Sequence, residues 1–194
     1  EKVVIKNQLH AENAEAKPNK KSIDRCKKRL ALIEKQVKEI IEEISELVRT
    51  DEEVQRIILL ICSITGIGIL TAATVLGETN GFELIRNKRQ LTSYAGLDIK
   101  EKQSGSSVKG KPIISKKGNK HLRKAMHLPA LSAIKHDERF RAIFARIVSK
   151  HGIKMKAAVA VQRKLLEMIY TIYKTGVIYD KEYFKKNNEV VEVI

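Results

Sequence analysis

The spacing of apolar residues between Ser22 and Val48 constrains this chain before anything else does. Ile23, Cys26, Leu30, Ile33, Val37, Ile40, Ile44 and Leu47 follow one another in alternating steps of three and four residues. That rhythm is the a/d seam of a coiled coil, because it returns to one side of the helix every two turns. Charged residues fill the other faces, among them Lys27, Arg29, Glu34, Lys38, Glu42 and Glu46, and neither Gly nor Pro interrupts the run. A helix over residues 22–49 is about 40 Å long at 1.5 Å per residue. Its narrow stripe cannot make a core by itself, so it needs a partner helix from this chain or from another copy. Self-association through the coiled coil is the favoured expectation. Residues 1–21 carry a short apolar patch (Val3, Val4, Ile5) and turn polar around Pro18, which reads as a fraying helix end or linker.

Residues 50–176 read as a compact helical domain. Thr50 with Glu53 fits a capping box opening a mostly buried helix, Asp51 to about Ile64. In the run Ile64 to Ala73, Gly66 and Gly68 flank Ile67 between two apolar helical stretches, the pattern of a helix-hairpin-helix. The second helix of such a hairpin starts with free backbone N–H groups, which hold a DNA phosphate without reading sequence. Any tight helix–helix turn can use Gly-Ile-Gly; the apolar flanks and the net charge favour DNA contact. A short helix follows at Asn87–Ala95, with Phe82, Leu84 and Ile85 tucked in before it. Further helices are expected over Asn119–Lys135 with a kink near Pro129, over Asp137–Lys150 ending at His151-Gly152, and over Lys154–Lys174 stopped at Gly176. Ala157 to Val161 in the last is close-packing material and belongs at the centre. The tail, 177–194, is expected to be poorly ordered. Apart from a short hairpin near Ile113 and Ile114, no segment has strand periodicity. The architecture is all-α: a long coiled-coil helix, then a helical domain containing the helix-hairpin-helix.

Composition narrows the class of partner. Lys and Arg number 38 against 23 Asp and Glu, a formal charge of +15, which points to a polyanion and to nucleic acid ahead of a membrane surface. No apolar run approaches the ~20 residues of a membrane span. There is no Trp and aromatics are 5%, so a base-stacking platform of several rings is not expected. Cys26 and Cys62 sit at apolar-periodic positions, as buried thiols of a reducing cytoplasm do, and two alone cannot make a structural zinc site. His10, His121, His127, His136 and His151 are scattered, and no converging carboxylates suggest a two-metal site, so no metal or other cofactor is expected in this chain.

The stretch from Tyr94 to Met126 is the candidate site. Ser104, Gly105, Ser106 and Ser107 lie among Lys100, Lys102, Lys109 and Lys111, and Asn119 is placed to cap a following helix. Asp98 and Glu101 fit salt-bridge partners better than general bases. On composition alone a solvated surface loop accounts for these residues. A serine hydroxyl attacking a phosphodiester forms a phosphoserine link and frees a 3′-hydroxyl, which conserves bond energy for rejoining. It needs cations on the non-bridging oxygens, and Lys102, Lys109, Lys111, Lys116, Lys117, Lys120 and Arg123 are near enough in sequence to supply them. Arg123 can make a planar two-point clamp that a lysine cannot.

GIGILTAA, YAGL, SG, ISKKGNKHLRKA, RIVSKHG and KAAVAVQRKLL, in that order, resemble the C-terminal half of insertion-sequence 110 family transposases, the DEDD-type or Piv-like site-specific recombinases. The likeness covers roughly Ile58 to Thr175. The helix before it resembles the family's coiled-coil linker, and KNQLHA resembles the segment leaving the first domain. The resemblance implies a RuvC-like first domain with four magnesium-binding acids and a second domain whose serine is the nucleophile. By match to the serine-glycine motif that serine is Ser104, with Ser106 and Ser107 as fallbacks. It implies DNA as partner, and a structured guide RNA for some members. It also implies a cytoplasmic, nucleoid-associated protein. The first domain has no counterpart here, so magnesium is expected only there, and this chain alone is expected to bind nucleic acid without completing strand exchange.

Overall fold

The computed structural model describes residues 1–100, 103–104, 108–109 and 113–182, with Lys100, Gln103, Ser104, Val108 and Lys109 described by their backbone. The chain divides between Thr50 and Asp51 into two compact units.

The first unit is a pair of helices, α1 (Lys2–Ala14) and α2 (Lys20–Thr50), packed on each other. Ile5 and Cys26 are buried between them. Ser22 Oγ donates to Glu12 Oε1 at 2.6 Å, and Lys2 Nζ lies 3.0 Å from Glu34 Oε1, so the helices run antiparallel. Residues 2–14 are therefore a helix rather than a linker, and this chain supplies a partner for the first part of the seam. Beyond Glu34 the seam is open: Val37, Ile40 and Leu47 are 45, 53 and 68% exposed. Thr50 ends α2, its hydroxyl donating to the Leu47 carbonyl.

Asp51, not Thr50, caps the next helix, α3 (Glu52–Cys62), by accepting from the amides of Glu53 and Val54. Then come α4 (Ile69–Thr79), α5 (Lys88–Tyr94), four two-residue strands, α6 (Lys120–Ala125), α7 (His127–His136), α8 (Glu138–His151) and α9 (Lys154–Thr175). The strands pair antiparallel: β1 (Ile99–Lys100) with β4 (Ile113–Ile114), and β2 (Gln103–Ser104) with β3 (Val108–Lys109). The short hairpin expected at Ile113–Ile114 is thus present in an otherwise helical unit.

Helix α9 is the core. It packs on α3, α5, α7 and α8 and buries Ala157, Ala158, Val161, Leu165, Leu166 and Ile169. Small residues in its first turns let neighbours approach closely, and each large one contributes about 1.5–3 kcal/mol by leaving water. The break between α6 and α7 falls at Met126, so Pro129 sits in the first turn of α7, where its missing N–H costs nothing. Gly152 and Gly176, both at positive φ, end α8 and α9. Cys62 is half-buried, which pushes its thiol pKa up, and both cysteines are free.

Two expectations for this unit change. Phe82 and Ile85 are buried, but Leu84 between them is 76% exposed. The tail is also not loose from Gly176 onward: the Tyr179 amide donates to Ser63 Oγ at 2.9 Å, and its hydroxyl donates to Asp137 Oδ2 at 3.0 Å. Residues 183–194 lie outside the described residues.

Candidate functional site

The site is built on an interlock between two short backbone stretches. Ser93 to Leu97 leaves α5, and Lys116 to Asn119 leads into α6. A Cβ added to Gly118 would come 2.3 Å from the Tyr94 carbonyl oxygen and 2.6 Å from the Gly96 nitrogen. One added to Gly96 would come 3.0 Å from the Lys116 carbonyl carbon, and Gly96 also has φ +65. Only glycine lets both chains pass this closely. Backbone hydrogen bonds zip the stretches together: Asn119 N to Tyr94 O at 2.7 Å, Lys116 N to Gly96 O at 3.1 Å, and Ser115 N to Asp98 O at 2.9 Å. The β1–β4 pairing continues this track outward, Ile99 opposite Ile114, and a separate two-stranded pair, β2–β3, sets Ser104 opposite Val108. Ser104 therefore stands at the end of the β2–β3 pairing, in the segment that leaves the locked foot through β1 and returns to it through β4.

Side chains hold the foot to the helices. Asn119 Oδ1 accepts from the amides of His121 and Leu122, making Asn119 the cap of α6 as the sequence suggested. Its Nδ2 donates to Glu78 Oε2 at 2.5 Å, and the Tyr94 hydroxyl donates to the Glu78 carbonyl at 2.9 Å. Arg123 Nη1 donates to the Ala95 carbonyl at 2.8 Å, so part of the guanidinium expected to clamp phosphate instead anchors the hairpin. Asp98 accepts from the Ser115 hydroxyl and forms no ion pair among the described residues. Glu78 is the member that sequence reasoning missed; Tyr94 and Gly118 lie within the candidate stretch, but their spacing does not show that they meet each other.

The cations divide. Lys116, Lys117 and Lys120 are exposed at the foot of the hairpin, with no carboxylate partner among the described residues. Lys109 is placed by its backbone in β3, whereas Lys102, Lys111, Ser106 and Ser107 lie outside the described residues.

The glycine turn between α3 and α4 is elsewhere. A Cβ at Gly66 would meet the Pro129 carbonyl oxygen at 2.7 Å and the Ala133 nitrogen at 3.0 Å, so this glycine exists to seat the turn on α7. Ile67 is core, 7% exposed, and its amide donates to the Ile64 carbonyl. Only Gly68 has an open face; it caps α4, and the first backbone bond of that helix runs from Ala72 N to Gly68 O. Gly68 lies at the start of α4 and Glu78 near its end, so the turn and the hairpin foot are separated by most of an 11-residue helix, ~16 Å. The structure sets the Gly66–Gly68 turn apart from Lys116, Lys117 and Lys120, and places Ser104 by its backbone pairing with Val108. Among the described residues no three or more His, Cys, Asp or Glu side chains are placed to hold a metal, and no helix is long and apolar enough to cross a membrane.

Residues 59–145, the segment holding the turn, the interlock and the hairpin, match the transposase family IS116/IS110/IS902. A pilin gene-inverting protein of Moraxella bovis is 29% identical over 140 residues, 72% of this chain and 44% of that protein. One of Moraxella lacunata is 31% identical over 126 residues, 63% of this chain and 38% of that protein. An uncharacterized 43.6 kDa protein of insertion element IS110 from Streptomyces coelicolor is 27% identical over 118 residues, 61% of this chain and 29% of that protein. The chain therefore spans less than half the length of these relatives. The motif order and the matched segment agree: residues 59–145 are similar to the IS116/IS110/IS902 family of transposases.

Proposed function

We propose that this chain is the DNA-binding, serine-bearing half of a transposase or site-specific recombinase. The observation that supports it best is the locked foot, with Lys116, Lys117 and Lys120 exposed on it and without a carboxylate partner among the described residues, and Ser104 in the strand segment that leaves it. Cations held on a fixed scaffold can neutralise the non-bridging oxygens of a phosphodiester without reorganising. The serine Oγ–phosphorus bond would form as the bond from phosphorus to the 3′ oxygen breaks. The hydroxyl gives up its proton, and the strand leaves as a free 3′-hydroxyl. In this reading magnesium belongs to a RuvC-like domain of the family, and this half supplies the nucleophile and the cations.

The α4 start, with its uncapped amides and the open face of Gly68, is a second DNA contact in this reading, about 16 Å along α4 from the hairpin foot. The exposed seam of α2 would join two copies.

The test joins this chain to a family first domain and traps covalent protein–DNA adduct on a nicked duplex. Ser104→Ala is expected to lose the adduct while Ser106→Ala and Ser107→Ala keep it. Undiminished adduct from Ser104→Ala would remove that residue from the mechanism. A second reading, a binding module without chemistry, is favoured if DNA binding is normal and none of the three serines carries an adduct.

A further inference from the structure

The turn between α4 and α5 carries a feature that the hairpin does not use. Leu84 is 76% exposed, more than any other large apolar side chain among the described residues. Its neighbours are sunk: Phe82 and Ile85 are 2% and 5% exposed. Phe82 packs edge-on against Tyr170 with ring centroids 5.5 Å apart, and the Tyr170 hydroxyl donates to the Ile85 carbonyl at 3.1 Å. The turn is thus fixed to the central helix. It is also tied within itself: Gln90 Nε2 donates to the Leu84 carbonyl at 2.9 Å, the Arg86 amide donates to Gln90 Oε1 at 2.8 Å, and Asn87 Oδ1 accepts from the Gln90 amide. A leucine held outward by this much structure is not an accident of a loose loop.

Arg86, Lys88 and Arg89 surround it, all exposed and without a carboxylate partner among the described residues. The one acid in the turn, Glu83, is taken by the Asn80 side chain. The local balance is three cations against one carboxylate. An outward apolar side chain amid free cations does not suit an apolar protein partner, since desolvating three unpaired charges is costly. It suits a polyanion with an apolar interior that can be entered at an edge, which describes the DNA duplex: phosphates outside, stacked bases within.

We propose that this turn is a further DNA-binding site, in which Arg86, Lys88 and Arg89 hold backbone phosphates while Leu84 enters a base step as a wedge. The site rests on the DNA-binding reading above and extends it to residues outside the hairpin. It stands at one end of α5, whose other end leads into the interlock, so wedge and hairpin foot are about one seven-residue helix, ~10 Å, apart along the chain. That separation corresponds to about three base-pair steps, placing an unstacked step close to the strand that the serine would meet.

The experiment uses this chain and a short duplex carrying 2-aminopurine, whose fluorescence rises on unstacking. The parent chain is expected to bind and to raise the signal. Leu84→Ser should bind with the same salt dependence but without the rise, and Leu84→Met should keep it. Replacing Arg86, Lys88 and Arg89 together by Gln should lower the slope of log K against log salt by about 2–3, at ~0.9 per phosphate contact. Since all four side chains are exposed, unchanged melting temperatures are expected. Binding and fluorescence untouched by both Leu84→Ser and the triple change would overturn this site alone. Failure of the parent chain to bind duplex at low salt would overturn the DNA reading and this site with it.

Discussion

The α-carbon of Gly118 lies so close to Tyr94 that a Cβ there would stand 2.3 Å from the Tyr94 carbonyl oxygen. The atoms it would strike, including the Gly96 nitrogen and the Ser93 carbonyl, are backbone, so no side-chain rotation relieves the clash. Gly118→Ala is therefore expected to cost at least 2–3 kcal/mol or to prevent the hairpin foot from forming. Gly77, on the exposed side of α4 with nothing within 4 Å of an added Cβ, supplies the opposite case. Gly77→Ala should stabilise by about 0.5–1 kcal/mol, because the glycine only adds freedom to the unfolded chain. Thermal melts of the two variants should move in opposite directions.

Glu78 ties α4 to the hairpin through one carboxylate oxygen, which accepts from Asn119 Nδ2. Asn119 spends its other side-chain atom capping α6, so removing the carboxylate leaves the Asn119 amide without this partner. Glu78→Ala is expected to cost about 1.5 kcal/mol, the lower end for a charged acceptor, at this half-buried position. Hydrogen exchange at the amides of Lys116 and Asn119 should quicken more than at the amides within α9. Equal quickening everywhere would mean that Glu78 contributes global stability and no local tie.

Tyr179 reports on the tail. Burial, together with the Asp137 carboxylate its hydroxyl donates to, pushes its pKa up to about 12. A phenol whose folded pKa lies above its ordinary value of about 10 stabilises the fold fully below pH 10, and this contribution fades as pH rises toward 12. Ultraviolet titration of the phenolate should show the Tyr179 component ionising late. Tyr179→Phe should remove that component and cost about 1 kcal/mol at neutral pH, since the buried Asp137, which also caps α8, loses the hydroxyl it accepts from. A Tyr179→Phe protein with unchanged stability and an unchanged titration curve would show that the tail does not dock.

Helix positions were legible wherever the stop signals were local. Asn87, Asn119, Gly152 and Gly176 each cap an element within a few residues of themselves, and each is found at that task. The all-α class followed from the 3.6-residue period of α3 to α9. Helix α1 was hidden because Val3 and Val4 are exposed and Ile5 alone of the three is buried. The cap before α3 was misassigned by one residue because Thr50 and Asp51 are both good caps, and the hydroxyl of Thr50 is used by its own helix. What the sequence could not carry was contact at long range. Tyr179 meets residues 116 and 42 positions away, and Arg123 reaches 28 positions back to Ala95. The motifs of the interlock were visible as strings of glycines and lysines, but spacing along a chain does not say that Gly96 and Gly118 face each other.

The open half of α2 leads to the last prediction. From Val37 to Leu47 the seam keeps its three-and-four spacing, yet Val37, Ile40 and Leu47 are 45–68% exposed, while the equivalent Cys26 under α1 is 3% exposed. One stretch of the same stripe is covered and the next is bare, and the bare stretch is flanked by Lys35, Lys38, Glu39 and Glu42, whose ion pairs run along α2 itself. Such a surface has the apolar centre and charged margins of a coiled-coil interface. The chain is expected to self-associate at micromolar concentration, with Ile40→Glu combined with Leu47→Glu shifting it to monomer in sedimentation equilibrium. Because both side chains are solvent-exposed, the double variant should keep its helical content. Should the unmodified chain sediment as a monomer at high concentration, the stripe is not a self-association surface. Should the double variant remain associated, the copies meet through another face.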